Sequence, residues 1–368
     1  MKAIICGGGT GGHVYPAIAI SEVIESFDSK SEIFFVGRKG GRENTAYENT
    51  KKKLYSLDVS GISRSLSIKN LAAIIKALKA KAYSKKLLKE IKPDIVIGTG
   101  GYVCWPMLAS AIQLKIPTLL HESNAYPGMV TRMLAHKCTG LMLNYEAALY
   151  YLPKAKNAIL TGTPLREGFE HYSRESARKL LGIKSDEVMI LSFGGSLGSL
   201  VMNRAIVEMI EVFSTQDEKI RHFHATGINQ FDEIKEKHPA LCLGEGGCKI
   251  LPYINDMPLY MRACDIAITR SGAITLSELA VSQVGAILIP SPNVSENHQL
   301  KNAKALADEG AAILIEESEL KAERLIKEVK KLISNSQTLS RLKRRIAKKI
   351  NKNSEGLIEL AIKSALET

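Results

Sequence analysis

A short apolar run that empties into a glycine loop and then a helical pattern occurs twice in this chain. Near the start, Ala3-Ile4-Ile5-Cys6 leads into Gly7-Gly8-Gly9-Thr10-Gly11-Gly12-His13, followed by a helical pattern over Pro16 to Phe27. Near the middle, Val188 to Phe193 leads into Gly194-Gly195-Ser196-Leu197-Gly198-Ser199, followed by a helical pattern over Met202 to Phe213. Each reads as strand, tight turn and helix N-terminus, the opening βα unit of a doubly wound sheet. One such unit per half predicts two Rossmann-like α/β domains in tandem. The length of 368 residues with 45% apolar content is enough for two cores.

The remaining apolar runs agree. Glu32 to Val36, Asp94 to Ile97, Thr118 to Leu120, Asp265 to Thr269 and Ala286 to Ile289 read as buried parallel strands, short and rich in Ile, Val and Leu. Leu160-Thr161-Gly162-Thr163-Pro164 has the punctuation of a hinge, and the tail from about Arg341 reads as helical and basic. Ligands of open α/β sheets bind beyond the carboxyl ends of the strands, so two facing domains would line a shared cleft with their glycine loops.

The N-terminus lacks the features of a signal peptide, and the longest near-apolar stretch, Tyr102 to Ile112, is short and broken by Pro106. A cytosolic protein is expected. The six cysteines form no C-x-x-C pair and have no histidine at metal-ligand spacing, so they read as reduced, mostly buried side chains, with no metal site. Net charge is +12 and uneven: nine Lys or Arg against Glu90 between Ser63 and Pro93, and twelve against two acids between Lys321 and Lys352. Such patches favour anionic partners. Nucleic acid is disfavoured, because aromatics are 6% of the chain and no stacking module is present.

Gly7-x-Gly9-x-x-Gly12 formally matches a dinucleotide fingerprint. The second strand, however, ends in Gly37-Arg38 where a ribose-binding acid belongs, and Arg38 would suit a 2′-phosphate, which keeps an NADP-dependent oxidoreductase open as a rival. A third loop, Gly98-Thr99-Gly100-Gly101-Tyr102, follows another strand. Glycine turns at helix starts offer amides to phosphate without a metal; the plainer reading is a turn that lets a helix pack closely.

Six motifs then occur in order: Gly9-Thr10-Gly11-Gly12-His13-x-x-Pro16, Gly100-Gly101-Tyr102, His121-Glu122-Ser123-Asn124, Gly194-Gly195-Ser196-x-Gly198, Arg270-Ser271-Gly272-Ala273-x-Thr275-x-Ser277-Glu278 and His298-Gln299-x-x-Asn302-Ala303. Over nearly its whole length the chain resembles the MurG family, which transfers N-acetylglucosamine to undecaprenyl-diphospho-muramoyl-pentapeptide. The resemblance implies a GT-B fold, UDP-N-acetylglucosamine as donor, lipid I as acceptor, lipid II as product, no cofactor, and a peripheral place on the cytoplasmic face of the membrane. It implies an acceptor domain of residues 1–162 with a C-terminal helix at about 345–368, and a donor domain of residues 163–344. Thr10, Gly11 and Gly12 would belong to the phosphate region, Asn124 and Gln299 would hold sugar hydroxyls, and Ser196 would contact the diphosphate. Ile254 would read uracil through its backbone. Ala273, Ile274, Thr275, Leu276, Ser277 and Glu278 would grip the nucleotide, with Glu278 on the ribose diol and Arg166 approaching it from the hinge. A UDP-N-acetylglucosamine 2-epimerase of similar architecture is a nearer rival than the oxidoreductase.

Several residues carry two readings. His13 is a candidate general base, since an imidazole near pKa 6.5 suits deprotonation of an acceptor hydroxyl, or it caps its loop. Glu122 competes for the base role, or forms the loop after its strand. Glu278 accepts ribose hydroxyls, or complements a helix dipole. His298 has no assigned role. Leu71, Ile74, Ile75 and Leu78 recur at helical spacing beside Lys69, Lys76, Lys79 and Lys81; the stripe is core or, given the lysines, a surface for an anionic membrane. Leu197 stands where the family usually has glutamine, and Gln283-Val284-Gly285 where it has Gly-Leu-Pro, a change of backbone shape more than of chemistry.

Overall fold

The computed structural model describes residues 1–41, 44–61, 68–165, 168–195, 197–216, 219–349, 351 and 353–368, with main chain alone at 68, 69, 216, 245 and 295. These form two compact units: Met1–Arg166 with Asn351–Thr368, and Glu167–Ile350.

The first unit contains β1 (Lys2–Gly7), β2 (Glu32–Arg38), β3 (Lys53–Leu57), β4 (Ile95–Gly100), β5 (Thr118–Glu122), β6 (Gly140–Leu143) and β7 (Ala158–Ile159). All pair in parallel, in the order β3-β2-β1-β4-β5-β6-β7. The second contains β8 (Val188–Phe193), β9 (Ile220–Ala225), β10 (Cys248–Leu251), β11 (Ile266–Thr269), β12 (Gly285–Leu288) and β13 (Ile313–Leu314), also parallel, in the order β10-β9-β8-β11-β12-β13. Strand order reverses between β1 and β4 and between β8 and β11. The crevice at the carboxyl ends of those pairs is where a doubly wound sheet binds ligand.

Alternation along β1 feeds two cores. Ala3 and Ile5 meet Val14, Ala17, Ile20 and Ile24 of the Gly11–Phe27 helix on one face. Ile4 and Cys6 meet Leu87 and Leu88 of the Ile68–Ile91 helix and Met107 and Leu108 of the Cys104–Gln113 helix on the other. Each buried Val, Leu, Ile or Met side chain among these contributes about 1.5–3 kcal/mol of burial. Ile358, Ala361, Ile362 and Ala365 of the Ser354–Leu366 helix, at i, i+3, i+4, i+7, join the first of these cores, so the chain returns to its first unit. All six cysteines are unbonded and five are buried.

Three details differ from the sequence reading. The first long helix begins at Gly11 rather than near Pro16, so His13 lies in its opening turn. Pro16 sits inside it, where its missing N–H leaves the Gly12 carbonyl without an i+4 amide partner. The strands β3, β6, β7, β9, β10 and β13 were not legible, being two to six residues long and, at β9, interrupted by polar side chains. The stripe on the Ile68–Ile91 helix is not core: Leu71 is 60% and Leu78 56% exposed, with Ile74 and Ile75 also exposed, while the smaller Ala73, Ala80 and Ser84 face inward with Leu87 and Leu88. Lys76 pairs with Asp58 at 2.9 Å and Lys81 lies over the Trp105 ring. No helix among the described residues is long and apolar enough to cross a membrane.

Candidate active site

In the first unit, the loops after β1 and β4 nest in each other. The Gly8 amide donates to the Gly100 carbonyl at 3.2 Å. Gly101 has φ +86°, and a Cβ there would lie 2.1 Å from the Gly8 carbonyl oxygen; one on Gly100 would lie 2.4 Å from Cδ2 of His13. Only glycine permits this approach. Gly11 and Gly12 differ. Neither has a left-handed φ, and a Cβ on either would meet nothing nearer than a Tyr15 ring edge at 3.3 Å or the Thr10 hydroxyl at 3.5 Å. Close packing within the chain therefore does not account for glycine there. The Gly11–Phe27 helix starts with no side-chain cap and no acid in its first turn, which suits an anion.

His13 is held from three sides. Its Nδ1 lies 2.9 Å from the Gly8 carbonyl oxygen and 3.4 Å from the Thr10 hydroxyl, and its own carbonyl accepts from the Thr99 hydroxyl at 2.6 Å. A carbonyl accepts only, so Nδ1 carries the proton and Nε2 the lone pair of the neutral ring. Tyr47, fully buried, donates to the Gly7 carbonyl and fixes the end of β1.

Glu122 ends β5, is buried, and accepts four hydrogen bonds: from the Asn124 amide and Nδ2, both at 3.0 Å, from the Gly128 amide at 2.9 Å and from the Thr131 hydroxyl at 2.7 Å. That is the loop-forming arrangement, and it sets the position of Asn124. The His121 imidazole faces the Gly162 carbonyl at 3.1 Å, and burial holds its pKa below the usual value.

In the second unit, four loops leave the carboxyl ends of the strands. After β8, Gly195 (φ +94°) and Gly198 (φ +74°) make a tight turn closed by the Gly198 amide on the Gly195 carbonyl at 3.0 Å. A Cβ on Gly198 would fall 1.9 Å from the Thr226 carbonyl oxygen, so this loop lies flush on the end of β9. Leu197 stands out into solvent from it. After β11, the Ala273–Ser282 helix opens with Gly272 as N-cap, no side-chain cap and no acid in the first turn, so its start likewise suits an anion. Glu278 is the sixth residue of that helix and 1% exposed. The helix-dipole effect fades beyond the first turn, so that reading does not account for it. After β12, the Gln299 side-chain oxygen accepts the Ser291 amide at 2.8 Å, which leaves its NH₂ as the donor end of the amide. After β10, Ile254 lies buried in a loop whose far end, Asp256, accepts from the Tyr172 hydroxyl at 2.6 Å and caps the Met257–Ala263 helix.

The structure thus gathers Thr10, Gly11, Gly12, His13, Glu122 and Asn124 along the ends of β1, β4 and β5, and Ile254, residues 273–278 and Gln299 along the ends of β10, β11 and β12. Arg166 and Ser196 lie outside the described residues. Sequence reasoning assigned no role to Arg270, which holds three parts together: the Ile289 carbonyl at 3.1 Å, the Ser199 hydroxyl at 2.6 Å and the Glu317 carboxylate. An arginine directly after a buried strand was the available signal. Asn302 was likewise without a role; it is fully buried and donates to the Ser271 carbonyl, while the Ser271 hydroxyl donates to the Gln299 main-chain carbonyl.

Residues 3–143 match the glycosyltransferase family 28 N-terminal domain, and residues 189–358 match the glycosyltransferase family 28 C-terminal domain. The chain belongs to glycosyltransferase family 28. Within this family it is 40% identical over 353 residues, 96% of each chain, to the UDP-N-acetylglucosamine–N-acetylmuramyl-(pentapeptide) pyrophosphoryl-undecaprenol N-acetylglucosamine transferase of Thermoanaerobacter sp. (strain X514). The same-named protein of Desulforamulus reducens is 39% identical, covering 93% of this chain and 92% of its own. Among solved structures, MurG of Acinetobacter baumannii superposes with a TM-score of 0.78 at 27% identity, covering 98% of this chain and 99% of that one. A putative UDP-N-acetylglucosamine 2-epimerase of Listeria monocytogenes, at 16% identity, TM-score 0.69 and cover of 100% and 96%, shares the fold alone. Two parallel sheets with family 28 domains on each constitute the GT-B architecture, and the family makes this chain a hexosyltransferase.

Proposed function

We propose that this enzyme transfers N-acetylglucosamine from UDP-N-acetylglucosamine to the muramoyl C4 hydroxyl of an undecaprenyl-linked muramoyl-pentapeptide, lipid I, giving lipid II for the peptidoglycan wall. The observation that carries this reading is the 40% identity across 96% of the chain to a transferase named for that reaction, joined to a first unit that sets His13 at an uncapped helix start. The epimerase rival has only a fold likeness at 16% identity. The family 28 match of both halves leaves the NADP reading without support.

The chemistry follows from the residues. Nε2 of His13 takes the proton from the acceptor hydroxyl, whose oxygen attacks C1 of the donor sugar as the bond to UDP breaks on the opposite face. The anomeric centre inverts to a β-1,4 linkage, and the bonding pair leaves with the diphosphate. Amides of the Gly194–Gly198 turn, where Ser196 lies, and of the helix start at Ala273, Ile274 and Thr275 hold the charge that develops there. Leu276 and Ser277 complete that turn, and Glu278 accepts the ribose hydroxyls. Ile254 reads uracil through its main chain, Gln299 donates to a donor sugar hydroxyl, and Arg166 approaches the nucleotide. Thr10, Gly11 and Gly12 hold acceptor phosphate, and Asn124, positioned by Glu122, holds an acceptor hydroxyl. The first unit is then the acceptor domain and the second the donor domain.

The exposed Leu71, Ile74, Ile75 and Leu78, beside Lys79 and other cations, serve as a peripheral docking face for an anionic leaflet on the cytoplasmic side, where a lipid acceptor must be met. A transfer assay with labelled UDP-N-acetylglucosamine and a short-chain lipid I analogue tests the reading. Formation of the disaccharide product is expected. Epimerised nucleotide sugar without acceptor, or no transfer at all, refutes it.

A further inference from the structure

Next to the loop proposed to hold the acceptor sugar, the first unit carries an aromatic surface to which the transfer chemistry assigns no role. The Tyr126 and Tyr151 rings meet edge to face with centroids 4.7 Å apart, and Tyr151 meets Tyr150 the same way at 5.3 Å. The Arg132 guanidinium lies 4.8 Å over the Tyr126 ring and donates to its hydroxyl. Tyr150 is 85% exposed, so packing of its own fold does not require an aromatic ring there. Tyr151 is exposed beside it, and Met129 and Met133 are exposed on the Met129–Leu134 helix that carries Arg132.

We propose that Tyr126, Tyr150, Tyr151 and Arg132 form the subsite for the peptide stem of the acceptor, a role that rests on the acceptor reading of the first unit. Three observations support it. Tyr126 stands two residues beyond Asn124, in the loop hung from the Glu122 carboxylate, and Tyr150 and Tyr151 close the turn at Glu146–Tyr151 that follows β6, the strand paired with β5. The platform is thus continuous with the loop assigned to the acceptor sugar. Second, the stem leaves the muramoyl ring at the carbon beside the reacting hydroxyl, and five residues span at most about 17 Å, so it must cross the surface around that loop. Third, the charge matches. A peptide joined through its amino end keeps a carboxylate at the other, and between Tyr126 and Asn157 the chain has Arg132, Lys137, Lys154 and Lys156 against Glu146 alone. Tyrosine faces take amide planes and apolar side chains at little entropic cost, and a guanidinium takes a carboxylate.

The test uses the full chain with two soluble short-chain acceptors, one with the pentapeptide and one truncated to the lactyl amide. For wild type, the stem-bearing acceptor should have the lower KM. Tyr150→Ala and Tyr151→Ala should each raise its KM about five- to tenfold with kcat within about twofold, and leave the truncated acceptor unaffected, as loss of an aromatic contact implies. Equal wild-type KM values for the two acceptors, or equal effects of the variants on both, overturn the subsite while leaving the transferase reading intact. Transfer to neither acceptor by wild type overturns that reading itself. A Tyr150→Ala protein that loses binding to anionic vesicles but keeps its stem-dependent KM marks the patch as a membrane contact, and also overturns the subsite.

Discussion

Nδ1 of His13 points at the carbonyl oxygen of Gly8, 2.9 Å away, in a loop that Gly100 and Gly101 hold from behind. The ring is thereby fixed in the tautomer whose Nε2 accepts a proton. His13→Ala should lower kcat by about 10²- to 10⁴-fold, the range for loss of a positioned base, with the KM for the donor sugar nucleotide little changed. Near-normal turnover of this variant in a steady-state assay would remove His13 from the chemistry.

Glu278 is a buried carboxylate at the proposed ribose end of the site, and hydrogen bonds to a charged acceptor contribute about 1.5–3 kcal/mol. Glu278→Gln should therefore weaken UDP binding by roughly 10- to 100-fold in calorimetry, with the acceptor KM unaltered. Unchanged UDP affinity would refute the ribose role.

Gln283 ends the Ala273–Ser282 helix at φ +55° and ψ 48°, a left-handed conformation that costs a side-chain-bearing residue about 1–2 kcal/mol. Gln283→Gly should raise the stability of the second unit by about 0.5–1 kcal/mol, part of the gain being cancelled by the greater freedom of glycine in the unfolded chain. A lower denaturation midpoint for this variant would contradict the strain.

Inside the second sheet, the Ser192 hydroxyl lies 2.7 Å from Nε2 of His222 and 2.8 Å from Nδ1 of His224, and Nε2 of His224 lies 3.1 Å from the Asn203 side-chain oxygen. Both imidazoles are fully buried. Burial lowers the His224 pKa to about 4 and the His222 pKa well below its usual value, with His224 adding to the latter shift. The unfolded chain binds these protons near pH 6.5 and the folded chain does not, so stability is intact above that pH. It declines as pH falls through 6.5 and levels off near 4 for His224. Between pH 7.5 and 5, His224 should cost about 2 kcal/mol, with His222 adding in the same direction. Urea unfolding at the two pH values measures this, and equal stability would show the histidines are not held neutral.

The exposed stripe on the Ile68–Ile91 helix should bind anionic vesicles in a salt-dependent way. A Leu71→Glu, Ile75→Glu, Leu78→Glu triple variant should lose at least tenfold in vesicle partitioning, while turnover of a soluble acceptor analogue stays within about twofold. Retained partitioning would assign membrane contact elsewhere.

What the sequence by itself determined was the pair of strand–glycine–helix openings, because burial of Ile and Val on both faces and the steric demands of Gly101 and Gly198 leave a mark on local residue type. The two-domain doubly wound class and the loops at 7–13, 98–102 and 194–199 were legible for that reason. Local pattern says nothing about which face of an amphipathic helix meets the sheet. Only tertiary packing decided that Ala73, Ala80 and Leu87 turn inward while Leu71 and Leu78 do not. The same holds for side chains whose partners are distant in sequence: Arg270 spanning Ser199, Ile289 and Glu317, and the His222–Ser192–His224 chain linking β8 to β9. A hydrogen bond is specified by where its acceptor lies in space, and that position exists only once the strands have paired.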